Sequence, residues 1–120
     1  MSKGAIKTQS YAFAVRVINL YKFLVEEKRE FVMSKQLLRS GTAVGALVRE
    51  GQNAESKKDF IHKLAIAQKE CDESIYWIEL LIETDYLTQE MSDSLLVDAN
   101  SILKMIKSAI ITTKNSLKKK

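Results

Sequence analysis

No proline occurs anywhere in the 120 residues, and glycine occurs only four times. Proline breaks a helix, glycine weakens one, and turn-rich β architectures lean on both. A chain without the first and nearly without the second is free to form long helices. Collagen-like, loop-rich and all-β folds are excluded on the same ground. The length suits one domain spanning residues 1–120 and is too short for two ordinary ones. A chain of this size buries roughly two thirds of its unfolded surface, so it folds without a disulfide or metal. The single cysteine, Cys71, excludes an internal disulfide. The single histidine, His62, excludes His-rich zinc and di-iron sites built within one chain.

Four segments carry helical periodicity, at about 9–27, 31–50, 57–83 and 89–116, followed by a basic tail at 117–120. On the first, Phe13, Ala14, Val17, Ile18, Leu20, Tyr21, Leu24 and Val25 share a broad face opposite Arg16, Asn19, Lys22, Glu26 and Glu27. On the second, Leu37, Leu38, Gly41, Val44, Gly45 and Val48 face one way, and Lys35, Arg39, Thr42, Ala46 and Arg49 the other. Ser56 with Asp59 forms a weak capping box for the third helix. Its seam is Phe60, Leu64, Ala67, Cys71, Ile75, Ile78 and Ile82, with Ile66, Trp77, Leu80 and Leu81 off that seam. Thr88 is the expected N-cap of the fourth, whose inward face runs from Leu95 and Leu96 through Ala99, Ile102, Leu103 and Ile106 to Ala109 and Ile110. Short connections between four such helices predict an all-α, antiparallel up-down-up-down bundle.

Two features point beyond a monomeric bundle. Val15 and Phe23 sit among polar residues, and Ile66 and Trp77 form a second apolar patch, so all four are expected at an oligomer interface. Mid-helix glycine costs about 1 kcal/mol against alanine. Gly41 and Gly45, four apart on the apolar side of the second helix, therefore predict a close approach by another helix.

Charge is uneven. The formal net charge is +4. Residues 1–51 hold nine bases and four acids, residues 52–113 six bases and eleven acids, and the last seven residues add four lysines. Lys35, Arg39 and Arg49, joined by Arg16 and Lys22 and by the tail lysines Lys114, Lys118, Lys119 and Lys120, are the candidate contacts for RNA or DNA phosphates. The opposing possibility is that Arg39 and Arg49 pair with acids of the −5 half, within the bundle or across subunits. No apolar run approaches the ~20 residues that span a bilayer, and a lone thiol suits a reducing cytoplasm, so a cytoplasmic location is expected.

Catalytic constellations are missing. Asp59 stands three residues before His62, so the Glu-x-x-His signature of di-iron bundles fails. Cys71 falls on the core seam and His62 points about 180° away on the same helix, which leaves the thiol without a base. The carboxylates Glu70, Asp72, Glu73, Glu79 and Glu83 spread around the third helix instead of converging. No phosphate loop or dinucleotide fingerprint is present. A non-enzymatic protein without metal or cofactor is expected.

The stretch from Ser34 to Glu50 (SKQLLRSGTAVGALVRE) resembles the signature of the bacterial four-helix-bundle proteins of the 23S rRNA intervening-sequence family. So do Ser56 to Leu64 (SKKDFIHKL), Lys69-Glu70, Tyr76 to Leu81 (YWIELL) and Phe13 to Tyr21 (FAVRVINLY). These segments lie in order over nearly the whole chain. Ala43, Val44, Leu47 and Val48 are conservative departures. The resemblance implies a homopentamer without established enzymatic activity. The similar accessory variability proteins of diversity-generating retroelements are basic pentameric bundles that bind nucleic acid and a reverse transcriptase. Two functions follow as expectations. The first is a homo-oligomer holding RNA or DNA by charge. The second is an oligomeric scaffold for a protein partner such as a reverse transcriptase, without a nucleic-acid role of its own.

Overall fold

The computed structural model describes residues 3–119: four helices and, among those residues, no strand. They are α1 (Lys3–Glu26), α2 (Met33–Gln52), α3 (Lys57–Glu83) and α4 (Gln89–Lys118). The order and number match the sequence periodicity. Each helix packs on its neighbour in the chain, and α4 closes against α1. α1 and α3 lie diagonally, without close backbone approach, and so do α2 and α4. The result is a rod with extents of 54 × 22 × 20 Å.

α1 starts six residues before the expected position. Ile6 lies seven residues from Phe13, and thus on the same helix face, and it is buried with Ser10. The polar residues between them, Lys7, Thr8 and Gln9, are exposed and mask that continuation in the sequence.

The α1–α2 turn reverses through Arg29, held at φ 56°. Val32, at the head of α2, offers no side-chain cap, and Glu30 supplies one instead. Its carboxylate accepts from the N–H groups of Val32 (3.1 Å), Met33 (3.0 Å) and Ser34 (2.7 Å), and the Ser34 hydroxyl donates back to the Glu30 carbonyl at 2.7 Å. Four amides lack intrahelical partners at any helix start, and this one side chain satisfies three. At α3, Ser56 accepts from the Asp59 N–H at 3.0 Å, and at α4, Thr88 accepts from Met91 at 3.1 Å. Both caps stand where the sequence placed them.

The core runs the length of the rod, through Phe13, Val17, Leu24, Leu37, Val44, Val48, Leu64, Ile78, Ile102 and Ile106. α2 comes close to α1 along its two glycines. A Cβ on Gly41 would stand 2.8 Å from both Val17 methyls, and one on Gly45 would stand 3.1 Å from the Ser10 carbonyl oxygen.

Two packing details differ from the sequence periodicity. Leu81, expected off the α3 seam, is fully buried, while Ile75 and Ile82 are only half-buried. The inward row is Leu64, Ala67, Cys71, Ser74, Ile78 and Leu81. Ser74 takes an inward position because its hydroxyl meets that of Ser40 at 2.9 Å, with the Glu70 carbonyl 2.8 Å away. That satisfied polar pair rotates the seam by about one residue. Ile18, expected to face inward on α1, is exposed.

Candidate nucleic-acid interface

The basic stripe of α2 does not act as one row. Arg39 reaches across to α3, with Nη1 at 3.1 Å from Glu70 Oε1 and Nη2 at 2.5 Å from Glu73 Oε2. Glu73 also accepts from the Trp77 indole N–H at 2.9 Å. The bond to Glu73 raises the Arg39 pKa further, and in return Arg39, followed by Trp77, holds the Glu73 carboxyl below its ordinary range. Arg16 likewise faces α4, bonded to Asp98 and, at 2.7 Å, to the Ser94 hydroxyl. Both guanidinium groups are thus matched to acids or hydroxyls of the same chain.

Arg49 differs: its guanidinium lies 5.9 Å over the Tyr11 ring. Among the described residues it has no ion pair, and neither do Lys22 and Lys35, which are exposed on α1 and α2. Within the chain, then, Arg49 does not pair with an acid as Arg39 does.

The fold gathers further cations around Arg49 at one end of the rod. Lys7, Tyr11, Arg49 and Lys63, with the acids Glu50 and Asp59, line a groove of about 740 Å³, floored by Ala14, Ile18, Gly45 and Ala46. Lys57, on the first turn of α3, donates to Ser116 on the last turns of α4 at 2.5 Å. Lys58 follows on the same α3 turn, and Lys114, Lys118 and Lys119 stand exposed beside Ser116. Among the described residues these cations form one ion pair, Lys63 with Glu50 at 3.4 Å. Glu50, Glu55 and Asp59 are interspersed with the cations at this end, and the other end carries Glu26, Glu27, Glu83, Asp85, Glu90 and Asp93 together with Lys28 and Arg29. Lys120 lies outside the described residues.

Sequence reasoning named Arg49 and the tail but missed Lys7, Lys57, Lys58 and Lys63. They are scattered along the chain, and only helix pairing brings them together. A signal was present: lysines concentrate on the opening turns of α1 and α3 and on the closing turns of α4.

The four residues expected at an oligomer interface do not form one patch. Val15 is 43% exposed and continues along α1 into Tyr11 (60%) and Ile18 (38%), an outward apolar strip at i−4 and i+3. Phe23 is half-buried against the core, with Lys28 Nζ 6.0 Å over its ring. Ile66 and Trp77 lie on α3, diagonal to α1 and half-buried. The Trp77 ring meets exposed Tyr76 edge-on, centroids 5.1 Å apart.

Cys71 is sealed in the core, its thiol directed at the Ala99 carbonyl at 3.3 Å, and burial, with Asp72 adding, pushes its pKa up to about 12. His62 is exposed. Among the described residues no group of three or more His, Cys, Asp or Glu is arranged to hold a metal ion, and no helix is long and apolar enough to cross a membrane.

The family model for the 23S rRNA-intervening sequence protein matches residues 3–108, which takes in all of α1, α2 and α3 and most of α4. The chain belongs to the 23S rRNA-intervening sequence protein family. A crystal structure of a protein of unknown function from the S23 ribosomal protein family of Bacteroides thetaiotaomicron is similar to it. The TM-score is 0.90 and the identity 54%, over 92% of this chain and 98% of that one. A comparison with curated proteins gives no match. For this 23S rRNA-intervening sequence family protein, the residues that follow the matched stretch include Lys114, Lys118 and Lys119 of the basic end.

Proposed function

We propose that this protein is a non-enzymatic, cytoplasmic homo-oligomer that holds RNA or DNA by charge at the basic end of each bundle. The carrying observation is the group Lys7, Arg49, Lys57, Lys58, Lys63, Lys114, Lys118 and Lys119, gathered from all four helices with a single ion pair, Lys63 with Glu50, among the described residues. Contacts of this kind grip phosphates without reading bases, and their strength falls with salt. Arg16 and Arg39 are reserved for the fold. The antiparallel course of the helices, supported by the pairs Val17–Gly41, Arg39–Glu70, Cys71–Ala99 and Arg16–Asp98, is what brings the cations together. Copies associate through the Tyr11, Val15 and Ile18 strip, in the pentamer that the sequence resemblance implies. Repetition of the basic end around such an assembly multiplies its avidity.

A scaffold role for a protein partner such as a reverse transcriptase has one observation in its favour: Tyr76 and Trp77 form an accessible aromatic pair away from the basic end. Light scattering combined with fluorescence anisotropy on labelled structured RNA and duplex DNA separates the two. An oligomer that binds both at low salt is expected. An oligomer that binds neither would reject the polyanion role and leave the scaffold.

A further inference from the structure

We propose that the cavity beneath the basic end of the bundle is a binding site for a small amphiphilic carboxylate, its hydrocarbon tail inserted between the helices and its head group at Lys57. The cavity measures about 240 Å³ and is lined by residues of all four helices. Its floor is the buried side chains of Ile6, Val48, Leu64 and Met105, with Phe60, Ala109 and the one amide side chain, Gln52, as walls. An apolar floor of this kind gives water too few partners to be held, and spaces between bundle helices are where small ligands commonly sit.

The mouth has a different chemistry. Ser108 and Thr112 stand at the edge. An adjoining hollow shares Phe60, Thr112 and Thr113 with the cavity and continues to Lys57 and Ser116. The Lys57 ammonium faces only the neutral Ser116 hydroxyl there, at 2.5 Å, and among the described residues it has no carboxylate partner. A bound carboxylate would replace that hydroxyl with a charge-assisted bond, about twice as strong as a neutral one. An apolar chamber, a hydroxyl-lined edge and a lysine without an acid together select a ligand with a short tail and a single negative head. The chamber itself lies apart from the phosphate-binding cations and shares only Lys57 with them.

The probe is octanoate below its micelle concentration, titrated calorimetrically into the full chain, with octanol and acetate as tail-only and head-only controls. Expected are saturable one-to-one binding of octanoate, severalfold weaker binding of octanol and none of acetate. Ala109→Phe, which fills the chamber, should abolish octanoate binding, and Lys57→Gln should reduce octanoate to the level of octanol. A measurement on the unaltered protein guards against a misfolded variant. The Met105 methyl resonance should shift with octanoate while those of Met33 and Met91 stay fixed. Failure of octanoate to saturate, an unmoved Met105 methyl, or a carboxylate preference that survives Lys57→Gln would each overturn the site. The octanoate titration and the Met105 shift on the unaltered protein say nothing about nucleic-acid binding, with which the site shares only Lys57.

Discussion

Arg39 and Glu73 meet at 2.5 Å across the α2–α3 seam, and the same carboxylate oxygen accepts the Trp77 indole N–H. That junction turns the most prominent arginine of the basic stripe into a structural tie and leaves phosphate binding to the end of the rod. Exposed pairs are worth only about 0–1 kcal/mol. Arg39→Gln should therefore lower stability by less than ~1 kcal/mol and leave affinity for RNA nearly unchanged. The double change Glu70→Gln and Glu73→Gln should release Arg39, raise affinity, and shift the Trp77 emission. Denaturant unfolding and anisotropy titrations check both.

Gly41 tests the α1–α2 approach. A methyl there meets both Val17 methyls at 2.8 Å. Overpacking of this kind costs about 1–3 kcal/mol, against a helix-propensity gain of about 1 kcal/mol from glycine to alanine. Gly41→Ala should therefore destabilise by up to ~2 kcal/mol. In a Val17→Ala background, where the space exists, the same change should be neutral or stabilising, a coupling that a double-mutant cycle by urea unfolding measures directly.

Glu30 sets an acid limit on stability. Burial alone would raise its carboxyl, but the three N–H groups of Ser34, Met33 and Val32 lower it on balance below the ordinary range. A depressed folded pKa contributes stability that is present above the unfolded value of about 4.3 and lost as pH falls through the folded value. Glu30→Gln should cost about 1–2 kcal/mol at neutral pH, as lost caps do. It should also flatten the decline in stability below pH ~4, seen in unfolding curves across that range.

Cys71 should be chemically silent in the folded protein. Its pKa is pushed up to about 12 by burial. Ellman's reagent at pH 8 should label it only as denaturant unfolds the chain. A raised folded value also means that the stabilising contribution is present below the unfolded thiol pKa of about 8.5 and declines as pH rises beyond it.

The apolar strip of α1 should hold copies together. Val15→Asp, placing a charge between Tyr11 and Ile18, should shift light-scattering mass toward the single chain while leaving the circular dichroism helical. Unchanged mass would assign assembly to another surface.

The helices were legible because their apolar residues recur with a period of 3.6 and because Ser56 and Thr88 are strong caps in a chain without proline. The start of α1 was not, since Ile6 is a single apolar residue among polar ones. Leu81 and Ile18 were misplaced because a uniform 100° advance carries no knowledge of the Ser40–Ser74 bond or of which helix covers which face. Family membership was readable from the motif around Gly41 and Gly45. The basic end was readable only in Arg49 and the tail. Lys7, Lys57, Lys58 and Lys63 join them through the pairing of helices far apart in the chain, which no local pattern records.

The most direct measurement of the polyanion role is the salt dependence of RNA affinity for the unaltered protein and for Arg49→Gln, Lys57→Gln and Lys58→Gln combined, with Lys22→Gln and Lys35→Gln as the control pair. Removing one phosphate-binding cation should reduce the slope of log affinity against log salt by roughly 0.7–0.9. A slope about two to three units shallower for the triple variant, with the control pair nearly unchanged, is the expected result. Equal slopes and affinities for the triple variant and the unaltered protein would contradict the assignment of the basic end as the interface.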